Sequence, residues 1–261
     1  LEYIGNLVLG TLNFNKYMHR LYISPENITE TEIVFPAEQR HRISRVLRLK
    51  EGDSFIVFDG LGKEYRITLE QVKKKGICGI IESMTIINRD PKLKTTLLQG
   101  LPKFEKFDLI VQKATELGVQ RIIPLITERT IPNLALQKVS IRVNRWQKIA
   151  IAAAEQSGRT IIPKISLVTS FIKGLEEIKS DDATLFFWEE EKQNSLKSVL
   201  KNISEIHSVS VIIGPEGGFS KKEAELAKQA GATSVSLGSR LLRTETVAIT
   251  ALSILFYEFA E

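Results

Sequence analysis

The chain is predicted to fold as an α/β protein, and three features carry that prediction. From Thr95 onward, short apolar runs of strand length alternate with longer stretches in which apolar residues recur every three or four positions, the pattern of a sheet covered by helices. Before Asp90 the apolar runs are short and separated by turn residues, with one helical stretch among them, which predicts a smaller β-rich domain. Near the end, Gly214-Pro-Glu-Gly-Gly218 follows an apolar run and precedes a helix start, a loop that needs a turn-tolerant backbone.

In the front half, strands are expected at Arg20–Ile23, Glu32–Phe35, Asp53–Phe58, Glu64–Leu69 and Ile77–Ile87, punctuated by Asp59-Gly-Leu-Gly62 and by a Lys73-Lys-Lys-Gly76 turn. One helix is expected to begin at Pro36, a favoured first position, and to end near Leu49. Helical spacing puts Ile43, Val46 and Leu47 on one face of it and His41, Arg45 and Arg48 on another, with Arg42 beside them. Pro36–Lys50 holds five Lys/Arg against one Glu, whereas Met18–Asp90 is nearly balanced at twelve against eleven, so the positive charge is local. That face is the best RNA-contact candidate of the front half, with a solvated helix face as the alternative.

Arg89-Asp-Pro-Lys-Leu-Lys94 reads as a linker. Thr95–Gln99 then reads as a strand and Leu101–Lys106 as a loop. A helix follows with Phe107, Ile110, Val111, Ala114 and Leu117 on one stripe, stopping at Gly118. Arg121–Ile126 is a strand ending in Thr127-Glu-Arg-Thr130, and Pro132–Val139 an irregular insertion. The helix Val143–Gln156 turns Val143, Trp146, Ala150 and Ala153 inward, and Ser157-Gly158-Arg159 breaks it. Ile165–Val168 and Ala183–Trp188 are strands, and Ser170–Lys179 and Ser195–Asn202 helices. Val209–Ile213 suits a buried strand. Ser220 is placed to cap the next helix, with Glu223 completing a capping box and Gly231 ending it. Thr233–Leu237 is a further strand. It runs into Gly238-Ser-Arg-Leu-Leu-Arg-Thr-Glu-Thr246 and a last helix, Val247–Ala260, apolar on nearly every face.

Two unusual loops therefore stand at the C-terminal ends of two parallel strands, the edge at which open α/β sheets bind ligands. Their bare backbone suits a nucleoside-like ligand held by main-chain hydrogen bonds. Composition narrows the remainder. At 261 residues there is room for one large domain or two ordinary ones. No apolar run reaches the roughly 20 residues of a membrane span. One cysteine, Cys78, cannot form an internal disulfide, which fits a reducing compartment, the cytoplasm. Three scattered histidines, His19, His41 and His207, give no metal-site spacing, so no metal is expected. The net charge of +5 permits nucleic acid without demanding it.

Ile213-Gly-Pro-Glu-Gly-Gly-Phe-Ser220 together with Leu237-Gly-Ser-Arg-Leu-Leu-Arg-Thr-Glu-Thr246 resembles the paired cofactor loops of the SPOUT methyltransferase superfamily. Within it, the sequence is most similar to the RsmE-type ribosomal RNA uridine-N3 methyltransferases. Phe104–Gly118, Arg145–Gly158 and Arg45-Val-Leu-Arg48 fit the same family, and the five stretches occur in its order from about Met18 to the end. The resemblance implies a small PUA-like β-barrel that helps hold RNA over residues 18–90. It implies a SPOUT α/β trefoil-knot methyltransferase domain over 91–261, and makes 1–17 an upstream extension. It further implies S-adenosyl-L-methionine as methyl donor, 16S ribosomal RNA within the small subunit as substrate, and a homodimer with the active site near the subunit contact.

Site residues follow from loops and resemblance together. Ile213, Gly214, Glu216, Gly217 and Gly218 would cradle the donor; Leu237, Gly238, Leu241 and Leu242 would enclose its adenine, with Arg243 and Thr246 beside it. Uracil N3 is a poor nucleophile until its hydrogen leaves, and a guanidinium near the carbonyl oxygens stabilises the anion as it forms. Arg243 is the first choice for that role and Arg129 the second, and Glu245 is placed to take the proton or to orient Arg243. Arg20, His41, Arg42, Arg45, Arg48 and Arg159 are the expected RNA contacts. Three other readings stay open at this point: a phosphate-binding nucleotide enzyme, a non-catalytic RNA-binding factor, and a SPOUT enzyme acting on ribose 2′-OH. Against the first, the loop is neither a dinucleotide fingerprint nor a Walker loop.

Overall fold

A computed structural model of the chain describes residues 19–72, 76–87, 89–103, 105–130, 136–203 and 205–259. The expected extension over 1–17, the turn at Lys73-Lys-Lys75, Phe104 and the insertion up to residue 135 lie outside the described residues.

The chain divides into two compact units. The first runs to Asp59 and resumes over Lys63–Ile86; the second comprises Gly60–Gly62 and everything from Ile87. In the first, β1 (Arg20–Tyr22), β2 (Glu32–Val34), β3 (Ser54–Phe58), β4 (Lys63–Val72) and β5 (Gly76–Ile86) form one sheet in the order β1-β3-β4-β5-β2. Only the β1–β3 pair is parallel. Leu21, Ile33, Phe35, Phe55, Val57 and Ile67 close on Ile43 to make its core.

The helix expected over Pro36–Leu49 is shorter and differently wound. α1 covers Ala37–His41, then Arg42–Val46 form a π-turn, and Arg48 adopts φ 55°, a left-handed conformation that ends the element. The wider π-turn rotates every later side chain away from α-helical register. Val46, expected inward, is therefore 63% exposed, while Ile43 keeps its place in the core.

The second unit is built on an all-parallel sheet in the order β12-β10-β11-β6-β7-β8. Its strands are β6 (Lys94–Gly100), β7 (Arg121–Ile126), β8 (Lys164–Ile165), β10 (Ala183–Phe187), β11 (Ser208–Ile213) and β12 (Thr233–Val235). The short β9 (Thr169–Ser170) also pairs with β7. The single strand expected over Ile165–Val168 is thus split. Pairing runs Ile122 to Ile165 and Leu125 to Thr169, one residue longer on the second strand, and Leu167 bulges into solvent.

Both faces of this sheet are covered, as parallel strands require. On one side α2 (Lys106–Leu117), α3 (Leu136–Ser157), α5 (Leu196–Leu200) and α7 (Thr244–Phe259) bury Phe107, Trp146, Ala150, Leu196 and Leu252 against Leu97, Val211 and Val235. On the other, α4 (Phe171–Glu176) and α6 (Lys221–Gln229) pack Phe171 and Ala227 against Leu98, Ile123, Phe186 and Ile212. Two helices begin earlier than expected: α3 at Leu136 and α7 at Thr244. The stretch read as a linker is not free, because Leu93 is buried and Arg89 donates to the Gly158 carbonyl at 3.0 Å.

Candidate active site

The loop after β11 is held from beneath and from both sides. Phe219 is fully buried, stacked 4.5 Å from Phe186 and 5.4 Å from Phe171, so it pins the loop's far end into the core. Ser220 caps α6 as expected. Its hydroxyl accepts from Glu223 N at 3.2 Å, and Glu223 Oε2 accepts from Ser220 N at 2.9 Å. Between these anchors Gly218 has φ 67°, and a β-carbon there would lie 1.8 Å from Glu189 Oε1. Side-chain-free backbone is thus a geometric need at this point.

The second loop leaves β12 and is not next to the first in the sheet, since β10 lies between β12 and β11. It must pass across the carboxyl ends of the strands to reach Thr244 at the start of α7. There Thr244 Oγ1 donates to Gly214 O at 2.6 Å and accepts from Gln99 Nε2 at 2.9 Å. Gln99, at the end of β6 and fully buried, also donates to Gly100 O at 3.0 Å and Gly214 O at 3.2 Å. One amide and one hydroxyl therefore join three segments remote in sequence. Neither residue was singled out from sequence; a glutamine between the apolar Leu97-Leu98 pair and a glycine was the only local sign of it.

Along this loop Gly238 adopts φ 109° with nothing within 4 Å of a notional β-carbon, and Leu241 is 89% exposed. Leu237 packs at the margin of the core, and Leu242 is half-buried. Arg243 and Thr246 are exposed, and the Arg243 carbonyl accepts the first helical hydrogen bond, from Val247 N at 2.9 Å.

A third loop, Thr127–Thr130 after β7, completes the rim. Glu223 is buried, and its second oxygen accepts from Glu128 N at 2.9 Å, so the capping residue of α6 also fixes this loop. Arg129 Nη1 donates to Gly217 O at 2.8 Å and lies 3.7 Å from Glu189 Oε1. The structure therefore brings Arg129 to the first loop, where it grips the backbone.

Charge gathers where the three segments meet. Glu216 accepts from Lys103 N at 3.1 Å and from Lys106 Nζ at 2.8 Å. Lys106 Nζ also lies 3.9 Å from Glu245 Oε2. Burial pushes the Glu216 carboxyl up, but the hydrogen bonds from Lys106 and from backbone N–H groups outweigh it and hold the group below the ordinary glutamate range. Glu245 Oε2 is buried and accepts no hydrogen bond among the described residues.

The expected RNA contacts divide. His41, Arg45 and Arg48 are exposed and Arg42 is half-buried, but with the π-turn between them they follow a tightening turn instead of one helical face. Arg20 is mostly covered: its guanidinium pairs with Glu64 and stands 5.2 Å over the Phe58 ring. Arg159 corrects the expectation of an RNA contact. It is 4% exposed, pairs with Asp90, and donates to Thr115 O at 2.7 Å, in the last turn of α2, and to Val119 O at 2.9 Å, just beyond that helix. A helix C-terminus leaves such carbonyls unpaired, and a buried guanidinium satisfies several at once.

Comparison with known proteins agrees with this architecture. Residues 89–256 match the RNA methyltransferase domain family, and residues 36–82 match the RNA methyltransferase PUA domain family. Ribosomal RNA small subunit methyltransferase E of Bacillus subtilis is 33% identical over 85% of this chain and 88% of its own length. Its namesake in Synechocystis is 35% identical over 90% and 76%. Among solved structures, a ribosomal RNA small subunit methyltransferase E from Neisseria gonorrhoeae bound to S-adenosyl methionine superposes with a TM-score of 0.82 at 30% identity, covering 92% of this chain and 98% of that one. A Legionella pneumophila structure in complex with the bound cofactor SAM gives 0.84 at 34%, covering 93% and 98%. The α/β sheet with its cross-strand C-terminal loop is thus the SPOUT methyltransferase domain, preceded by a PUA-like domain, and the chain belongs to the ribosomal RNA small subunit methyltransferase E family of RNA methyltransferases.

Proposed function

We propose that this chain transfers a methyl group from S-adenosyl-L-methionine to N3 of a specific uridine in 16S ribosomal RNA, acting on the small ribosomal subunit in the cytoplasm. The observation that carries the reading is the convergence at one sheet edge of the Gly214–Gly218 loop, the Leu237–Thr246 segment and Lys106, tied together through Gln99, Thr244 and Glu216. The residues fit the donor. Gly218 and Gly238 leave backbone bare, Leu241 offers an apolar surface that solvent otherwise covers, and Glu216 and Glu245 set negative charge near a site for a sulfonium. When bound, the donor supplies the methyl carbon and leaves as the neutral thioether.

The protein's own task is to hold the uracil in line and manage one proton. Arg243 is exposed at the mouth and free to meet the uracil carbonyl oxygens, where a guanidinium stabilises the developing anion. Arg129 supports the donor loop through Gly217 and is the second candidate for contact with the base. Glu245 receives the N3 proton on its Oε2, to which no hydrogen bond is donated among the described residues. His41, Arg42, Arg45 and Arg48 bind RNA phosphates. A homodimer is proposed through α2 and α7, whose outer surface leaves Tyr257 88% exposed with Leu109 also uncovered.

The test is to incubate the protein with small subunits from a strain lacking the modification, together with methyl-labelled donor, and to map the label. Label on a uracil base is the expected result. Label on ribose oxygen, or none, overturns the assignment.

A further inference from the structure

Gln99 carries an unpaired polar atom into the core. Its side chain is fully buried near the end of β6, and its Oε1 accepts no hydrogen bond among the described residues. A buried oxygen left without a donor costs free energy that an aliphatic side chain would avoid. The other end of the amide accounts for the residue. Nε2 faces Gly100 O at 3.0 Å, Gly214 O at 3.2 Å, Ile213 O at 3.4 Å and Thr244 Oγ1 at 2.9 Å. Carbonyl oxygens only accept, so the nitrogen must point this way. The Thr244 hydroxyl is oriented by the same logic. It accepts an N–H from Gln99 and donates its own hydrogen to Gly214 O at 2.6 Å. Thr244 is buried as well, so water does not compete for these bonds.

The pair sits at a junction. Gly214 opens the loop after β11, and Thr244 opens α7 directly between Arg243 and Glu245 in sequence. A shift of Thr244 relative to Gly214 therefore moves the guanidinium and the carboxylate relative to that loop. An in-line displacement tolerates little of this, since a misplacement of about 1 Å can cost about 100-fold in rate. We propose that Gln99 and Thr244 are positioning residues that act as one latch: Gln99 fixes the donor loop to β6, and Thr244 fixes the Arg243–Glu245 segment to that loop. This rests on the reading of the protein as an N3-uridine methyltransferase. Both residues act through the backbone they hold.

The two halves of the latch separate by substitution. Thr244→Val keeps the shape of the side chain and removes its hydroxyl. Gln99 still reaches Gly214 O, so the donor loop stays on β6 and donor affinity stays near wild type. The Arg243–Glu245 segment loses its tie, and methyl transfer at saturating donor and subunits slows by about 10- to 100-fold. Gln99→Met fills similar space without the amide and frees both segments, so donor affinity and rate fall together. Thr244→Ser keeps the hydroxyl and most of the rate. Because the two residues form one unit, Gln99→Met combined with Thr244→Val is no slower than Gln99→Met alone.

The measurement is single-turnover methylation of small subunits from a strain lacking the modification, with calorimetric titration of S-adenosylmethionine and thermal unfolding of each variant beside it. Gly231→Ala forces a side chain onto φ 89° at the end of α6 and shows what lost stability does alone: a lower Tm with an unchanged rate. A slow Thr244→Val protein that binds the donor normally, with Thr244→Ser near wild type, supports the latch. A Thr244→Val rate equal to wild type overturns it and leaves the hydroxyl a purely structural bond. So does a Thr244→Ser protein as slow as Thr244→Val, or a double variant whose losses multiply. Should Thr244→Val fail to fold, Gln99→Met still decides: a slower rate at saturating donor supports the latch, and an unchanged rate overturns it. Failure of the underlying reading is seen separately, as a wild-type protein that labels no uracil base.

Discussion

Gly100→Ala drives a methyl group into the backbone of the donor loop. Gly100 ends β6 directly beneath that loop, and a β-carbon built on it lies 2.6 Å from Pro215 Cδ, 2.7 Å from Pro215 N and 3.0 Å from Gly214 C. Ordinary contact begins near 3.4 Å, so the loop must retreat by roughly 0.8 Å, and a proline ring and its peptide cannot yield by changing rotamer. Retreat stretches the bonds that Gly214 O receives from Thr244 Oγ1 at 2.6 Å and Gln99 Nε2 at 3.2 Å. Overpacking costs about 1–3 kcal/mol, and weakening a buried hydrogen bond adds about 1 kcal/mol. A loss of about 2–4 kcal/mol lowers Tm by roughly 5–10 °C in a protein of this size. Donor affinity is expected to fall at least tenfold, because the displaced backbone is the proposed binding surface. Calorimetry of unfolding and titration with S-adenosylmethionine read the two effects. Gly231→Ala is the control: φ is 89° with nothing within 4 Å, so it carries only left-handed strain of about 1–2 kcal/mol and leaves donor binding unchanged. A Gly100→Ala protein that melts with wild type and binds the donor as tightly would refute the argument that this glycine sets the loop's height.

Arg159→Met takes the cation away from the buried Asp90, whose carboxyl burial already pushes up against the opposing pull of Arg159 and of the Ile161 backbone N–H. The expected loss is about 3–5 kcal/mol in chemical denaturation, and Asp90→Asn combined with Arg159→Met is expected to recover part of it. The Glu216 carboxyl is held below its ordinary value of 4.5, so its contribution to stability is complete above that pH and disappears as the pH falls through the lower folded value. The difference in Tm between wild type and Glu216→Gln is therefore expected to shrink on acidification through this range; a constant difference would contradict it. Arg45→Ala and Arg48→Ala are each expected to weaken RNA binding evenly across sequences and to reduce the slope of log affinity against log salt by about 1. An unchanged slope would remove the residue from the RNA surface.

Much of this molecule was legible before any coordinates. Ser220, Glu223 and Gly231 signalled a helix start and stop because caps are satisfied by neighbours three or four positions away. Arg121–Ile126 and Val209–Ile213 announced buried strands, since a parallel strand covered on both faces is largely apolar. Gly214–Gly218 stood out because few sequences leave that much backbone bare. What tertiary structure decided was every partnership across the chain. Gln99 and Thr244 are 145 residues apart, Lys106 and Glu216 are 110 apart, and Glu128 and Glu223 are 95 apart. Arg159 looked like a solvent-facing basic residue after a helix, yet the helix ends and turns that surround it make it an interior cap. The π-turn at Arg42–Val46 likewise follows from packing Ile43 into a core built by distant strands. Local hydrogen bonding and side-chain periodicity act over a few residues and leave their mark in the sequence, whereas the meeting of remote side chains depends on strand order, which no short stretch encodes.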